Sequence, residues 1–84
     1  MERVTIYSRP DCPKCDATKD WCEYHRIPHV VLPFDESADA QKLAALNSWK
    51  SLPIVVKADG ASWCGHDGMK LIELLREKRK TLQY

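Results

Sequence analysis

The sequence predicts an α/β fold, one sheet with helices on its faces. Three observations carry that expectation. β-branched runs at Val4-Thr5-Ile6 and Ile54-Val55-Val56 read as strands. Helix-forming stretches separate the first three strand-like runs, in the order β-α-β-α-β-β-α. No repeat, linker or low-complexity segment interrupts the pattern, so every segment is needed for the one sheet.

Arg3 to Ser8 reads as the first strand, ended by Arg9-Pro10-Asp11. A helix follows from about Cys12 to Tyr24, with Asp11 expected as its N-cap and Pro13 in the first turn, where a missing N–H costs nothing. Cys15, Thr18, Trp21 and Cys22 recur at helical spacing and predict its buried stripe. Pro28 bars the helix from continuing. His29 to Phe34 is the second strand, with Pro33 marking an edge or an exit. Ser37 is the expected cap of a second helix, rich in Ala, Leu, Gln and Lys, and Asn47 suits the left-handed position at its end. Ile54 to Val56 forms the third strand, Ala58-Asp59-Gly60 a turn, and Ala61 to Cys64 a short fourth strand. Asp67 caps a last helix carrying Met69, Leu71, Ile72, Leu74 and Leu75, with a tail expected to fray toward Tyr84. The opening βαβ unit implies parallel pairing and a right-handed crossover.

Length and charge narrow the function classes. The 84 residues suffice for one domain, 1–84, and its small core demands efficient packing. The 13 basic and 12 acidic side chains nearly cancel, and a net charge of +1 gives no reason to expect nucleic acid or an anionic membrane as partner. Basic density is local, in Arg76, Lys78, Arg79 and Lys80, and reads as a solvated last helical turn suited to the helix dipole. No apolar run is long enough for a membrane span, and Met-Glu-Arg-Val-Thr-Ile-Tyr lacks the apolar core of a signal peptide. A cytoplasmic monomer is the expectation. In a reducing compartment, four cysteines point to catalysis or metal binding rather than to structural disulfides.

Cys12-Pro13-Lys14-Cys15 is the strongest chemical signal. Two cysteines at this spacing on a helix start close a disulfide with little backbone movement. The first faces unpaired N–H groups and the positive end of the dipole, which favour its thiolate, the nucleophilic form. Lys14 and Arg9 add positive charge there, and Asp11 opposes them. Cys15 lies one turn further in and is expected to act second. Cys12 would attack a substrate disulfide, and Cys15 would attack Cys12 and release the reduced substrate.

A zinc site is the competing reading, because this spacing is also half of many zinc sites and His25 and His29 follow. The nine residues between Cys15 and His25 fall short of the usual gap of about twelve, and Pro28 keeps the histidines off one helix face. Such a module would bind metal without turnover. Leu52-Pro53 ahead of the third strand reads, taken alone, as a strand start lacking its first donor.

The run Thr5-Ile6-Tyr7-Ser8-Arg9-x-Asp11-Cys12-x-x-Cys15-x-Ala17-Thr18-Lys19 resembles the opening of the NrdH-redoxins, glutaredoxin-like proteins with thioredoxin-like reactivity. Leu52-Pro53-Ile54-Val55-Val56 and Ser62-Trp63-x-Gly65 resemble their second half, so the similarity reaches about Leu75. The resemblance implies a thioredoxin-like fold, a four-stranded mixed sheet with three helices. It implies a cis Pro53 beside the cysteine pair, with Leu52 backbone groups pairing an extended substrate. It also implies a role: carrying electrons from thioredoxin reductase to a class Ib ribonucleotide reductase, with NADPH bound by the reductase and no cofactor on this chain.

The chain departs from that family at two places. Pro13 after the first cysteine is more like glutaredoxins. Trp63-Cys64-Gly65-His66-Asp67-Gly68 stands where NrdH-redoxins commonly read Trp-Ser-Gly-Phe-Arg-Pro. Asp67 falls near the acidic position by which glutaredoxins hold the glutathione amino group, so glutathione is a second candidate partner. Bulky Trp63, near a glycine pair that glutaredoxins keep small, counts against it. Arg9 and the segment from Trp63 to Asp67 are thus candidate contacts for a partner or glutathione. Cys22 reads as a buried small hydrophobe or a redox thiol, and Cys64 as a bystander, a partner in a regulatory disulfide or a thiol that modulates Cys12. Trp21 is expected in the core. Trp49 and Trp63 read either as edge packing or as an apolar contact surface. His66 reads as a surface side chain or as a group tuning a nearby thiolate, and Tyr7 is expected to pack under the site.

Overall fold

Strand and helix signals resolve into β1 (Val4–Ser8), α1 (Pro13–Tyr24), β2 (His29–Pro33), α2 (Ala38–Asn47), β3 (Ile54–Val56), β4 (Ser62–Cys64) and α3 (Gly68–Leu82), with a 3-10 turn at Phe34–Glu36. The computed structural model describes residues 3–82. The side chains of 80–82, including Lys80, and the whole of Gln83 and Tyr84 lie outside the described residues. One four-stranded sheet runs in the order β2-β1-β3-β4. β1 pairs parallel with β2, as an intervening helix allows, and antiparallel with β3, which pairs antiparallel with β4. No helix among the described residues is long and apolar enough to cross a membrane.

Register decides which side chains share a face. Ile6, Val55 and Trp63 stand in one row across β1, β3 and β4. With Val4 they meet Cys22 and Ile27 at the end of α1 and Leu71 and Leu74 of α3, all buried in one cluster. Burying each of those leucines stabilises the fold by about 1.5–3 kcal/mol. The next row, Tyr7, Ile54 and Cys64, faces the other way. There Ile54 lines a slot with Ala44 of α2.

Helix ends correct the sequence reading at several points. Asp11 is not the cap of α1; Cys12 is, with φ −115° and ψ 97°. Asp11 sits one step outside in the left-handed region, φ 56°. That twist turns Cys12 over the first turn, so its carbonyl accepts from Asp16 N at 3.0 Å. Asn47 is likewise not left-handed; it is the last residue of α2, its amide donating to the Leu43 carbonyl at 2.9 Å. Ser48 takes the left-handed place at φ 55°, and Trp49 N closes the helix on the Ala44 carbonyl at 2.9 Å. Ser37 occupies the cap position of α2, but its hydroxyl donates to the Pro33 carbonyl at 2.6 Å rather than accepting a helix N–H. Asp67 does cap α3, its Oδ1 accepting from Met69 N at 3.0 Å and Lys70 N at 3.2 Å. The basic run lies within α3, with Arg76 and Arg79 exposed and Lys78 donating to the His25 carbonyl at 2.7 Å. Trp21 is half-buried and packs against the core from its margin.

Candidate active site

β1 ends at Ser8, and the loop Arg9–Asp11 delivers Cys12 to the start of α1. Cys12 and Cys15 are joined as a disulfide, their Cα atoms 5.2 Å apart. The Cys15 backbone N–H points at Cys12 Sγ at 3.3 Å. An N–H of the first helical turn aimed at this sulfur, on the positive end of the dipole, favours thiolate over thiol once the disulfide opens. Access separates the two sulfurs: Cys12 is half-buried, whereas Cys15 is 2% exposed. An incoming group therefore reaches Cys12 first.

A groove of about 430 Å³ opens beside Cys12, walled by Asp11, Pro13, Leu52 and three cations, Arg9, Lys14 and Lys50. A second slot of about 140 Å³ shares Arg9, Lys50 and Leu52 and is lined by Phe34 and Trp49. Arg9 is fixed where the two meet. Its Nη2 donates to Asp35 Oδ1 at 2.9 Å, and its guanidinium lies 5.2 Å from the Phe34 ring centre. Asp35, through hydrogen bonds and charge, holds the Arg9 guanidinium more firmly protonated than usual. Lys14 and Lys50 form no ion pair among the described residues. The groove is thus cationic around one carboxylate, Asp11.

Leu52-Pro53 is a cis peptide. Pro53 is buried, and its carbonyl accepts from Gly65 N at 2.7 Å, which ties the end of β4 to the start of β3. Gly65 has φ 84°, where a side chain would be strained, so the glycine lets the chain leave β4 toward α3. Tyr7, half-buried, stands on β1 opposite Ile54.

The segment from Trp63 to Asp67 does not line the Cys12 groove. Trp63 is 7% exposed and belongs to the core, so its ring offers no contact surface. The strand period explains this: opposite Val55, it points to the face that α1 and α3 cover. Cys64, half-buried and free, lies on the other face. His66 is exposed, and its Nδ1 lies 2.8 Å from Thr18 Oγ1. Cys22 is fully buried, and burial, helped by the charge of Glu23, pushes its thiol up to about 11. His25 stands at the far end of α1, a helix of twelve residues, about 18 Å from the end that carries the cysteine pair. No group of three or more His, Cys, Asp or Glu side chains that could hold a metal occurs among the described residues.

Lys50, Phe34, Asp35 and the Thr18–His66 contact escaped the sequence reading. Lys50 left a trace, standing two residues ahead of Leu52. The others come together across 26 and 48 residues of chain and left none.

Comparison with known proteins agrees with this geometry. The glutaredoxin family model matches residues 4–63. The chain is similar to the glutaredoxin-like protein NrdH of Escherichia coli, 33% identical over 63 residues, covering 75% of this chain and 76% of the relative. It is also similar to the Lactococcus lactis protein of that name, 28% identical over 58 residues, covering 69% and 81%. The solved E. coli NrdH-redoxin matches with TM-score 0.75 and 30% identity, over 87% of this chain and 95% of that one. A glutaredoxin from Archaeoglobus fulgidus matches with TM-score 0.68 and 27% identity, over 90% and 88%. A thioredoxin-like mixed sheet, a cysteine pair on the first helix and these relatives converge: the chain belongs to the glutaredoxin family, among its NrdH-like members, and is a thiol–disulfide oxidoreductase.

Proposed function

We propose that the protein is a dithiol electron carrier in which Cys12 is the nucleophile and Cys15 the resolving thiol. The asymmetry of the pair carries this reading: one sulfur borders an open groove and receives a helix N–H, and the other is buried. Cys12 thiolate attacks a substrate disulfide, forming a mixed disulfide and expelling one substrate thiolate. Cys15 then displaces the second substrate thiol and closes the Cys12–Cys15 bond. Two electrons leave with the substrate, and a separate donor restores the dithiol.

Thioredoxin reductase, drawing on NADPH, is the donor in this reading, and a class Ib ribonucleotide reductase is the acceptor. The likeness to the E. coli NrdH-redoxin, whose structure is described for its thioredoxin-like activity profile, supports it. Glutathione is the second reading. The cations around the Cys12 groove suit its carboxylates, but Asp67, the expected holder of its amino group, already commits Oδ1 to the cap of α3.

Insulin-disulfide reduction with two donor systems tests the choice. NADPH with thioredoxin reductase is expected to sustain turnover, and NADPH with glutathione and glutathione reductase is not. Turnover only with glutathione would transfer the assignment to the second reading. Failure of both would remove the carrier role.

A further inference from the structure

The resolving step asks a buried thiol to give up a proton. Cys15 is 2% exposed and cannot hand that proton directly to water. Among the described residues Thr18 is the only buried polar side chain, at 0% exposure. It sits one turn after Cys15 on the same face of α1, a spacing that puts helix side chains about 5–6 Å apart between Cβ atoms. Its hydroxyl is 2.8 Å from Nδ1 of His66, and His66 is exposed. Cys15 and Thr18 are thus buried side by side on one helix face, and the imidazole joins the Thr18 hydroxyl to the surface.

We propose that Thr18 and His66 form the proton path of Cys15, with His66 as the acceptor. The inference rests on Cys15 being the resolving thiol. In the mixed disulfide, the Cys15 thiol gives its proton to Thr18 Oγ1, and the Thr18 hydroxyl gives its own to Nδ1 of His66. The Cys15 thiolate attacks Cys12 Sγ; the Cys12–Cys15 bond forms as the bond to substrate breaks, and the substrate leaves as thiolate. The imidazolium releases a proton to water through Nε2–H. When a donor later reduces the disulfide, the same path returns a proton to Cys15. An imidazole suits both directions because it exchanges protons near neutral pH.

Other titratable groups lie on or beside the elements that carry this path. On α1 they are Cys22, buried, with Lys14, Asp16, Lys19 and Asp20, exposed; on β4, Cys64; ahead of and in the first turn of α3, Asp67 and Lys70. Asp67 adjoins His66 in sequence, but its Oδ1 is engaged by two helix N–H groups. Only His66 touches Thr18 through a side-chain hydrogen bond among the described residues.

Single-turnover oxidation of the reduced protein by dithiobis(nitrobenzoate) separates the two steps. The first phase releases one aryl thiolate as Cys12 attacks, and the second releases another as Cys15 resolves. His66→Ala is expected to leave the first phase unchanged and to slow the second about tenfold at neutral pH, a modest general-base effect. Its second phase should rise with hydroxide across the neutral range, where the parent protein is flatter, and added imidazole should restore it. Thr18→Val should slow the same phase and Thr18→Ser should recover it. An unchanged second phase in His66→Ala, equal slowing of both phases, or slowing that imidazole does not relieve would overturn the proposal. Every protein compared carries Cys64→Ser, because Cys64 is free and half-buried and would itself release aryl thiolate; in that background, release of two equivalents by Cys15→Ser would overturn the resolving role of Cys15 and the path together, and is told apart from the other failures by that variant alone.

Discussion

Helix α1 treats the cysteines at its two ends differently. At the N-terminal end Cys12 caps the helix, borders the groove and receives an N–H on its sulfur. Toward the C-terminal end Cys22 lies at 0% exposure among Val4, Ile6, Ile27 and Leu71, and its thiol is pushed up to about 11. One end stabilises a thiolate with dipole and hydrogen bond; the other forbids it by withholding water. On the proposed reading, position on the helix, rather than cysteine content, separates the nucleophile from a packing atom.

Removing the proposed nucleophile is expected to produce the largest effect. Cys12→Ser is expected to lower donor-coupled insulin reduction by about a thousandfold or more, as loss of a nucleophile does. Cys22→Ala should keep the parent turnover. A Cys22→Ala enzyme that still unfolds cooperatively but has lost turnover would break the comparison, because it would place the buried thiol in the reaction.

The next effect tests the buried end through pH. A thiol is neutral when protonated, and Cys22 sits near 11 in the folded chain against an ordinary value of 9.0. The folded state therefore holds this proton more tightly than the unfolded state. That stabilisation is complete below about pH 9 and is lost as pH climbs toward 11. It amounts to about 2–3 kcal/mol at about 1.4 kcal/mol per pH unit. Urea unfolding at pH 8 and pH 11 is expected to show a larger loss of stability for the parent than for Cys22→Ala. Equal losses would mean that the Cys22 thiol titrates freely.

Much of this contrast is legible in the sequence, because it rests on local chemistry. Pro13 marks the helix start and Pro28 bars its continuation, and the stripe of Cys15, Thr18 and Cys22 gives the buried face. The cap was misread because Asp11 is chemically the better cap. Its left-handed backbone, set by the loop, gives that place to Cys12. Trp63 was open to two readings because its side of the sheet depends on pairing with Val55, a register that no local pattern encodes. The groove's cations were half legible: Arg9 and Lys14 flank the cysteines, whereas Lys50 arrives from beyond α2. His66 stood out by residue type, but its partner Thr18 is set by tertiary packing across 48 residues.

The smallest effect sharpens the comparison through backbone conformation. Arg26, after the C-terminal end of α1, and Asp11, before its N-terminal end, hold nearly the same left-handed φ, 55° and 56°. At Arg26 the twist closes the helix, with Ile27 N donating to the Cys22 carbonyl at 2.8 Å. At Asp11 it aims Cys12. Glycine adopts this conformation without the penalty a side chain pays, though it also frees the unfolded chain, so each exchange nets less than about 1 kcal/mol of stability. Arg26→Gly is expected to raise the unfolding midpoint slightly and leave turnover alone. Asp11→Gly should give a similar change in midpoint but reduce turnover by up to about tenfold, because a freer hinge holds Cys12 less firmly in the attacking position. If both substitutions leave turnover untouched, the left-handed residue before Cys12 is only a bend in the chain. If turnover falls in Asp11→Gly alone, then the same backbone angle serves packing at one end of α1 and reactivity at the other.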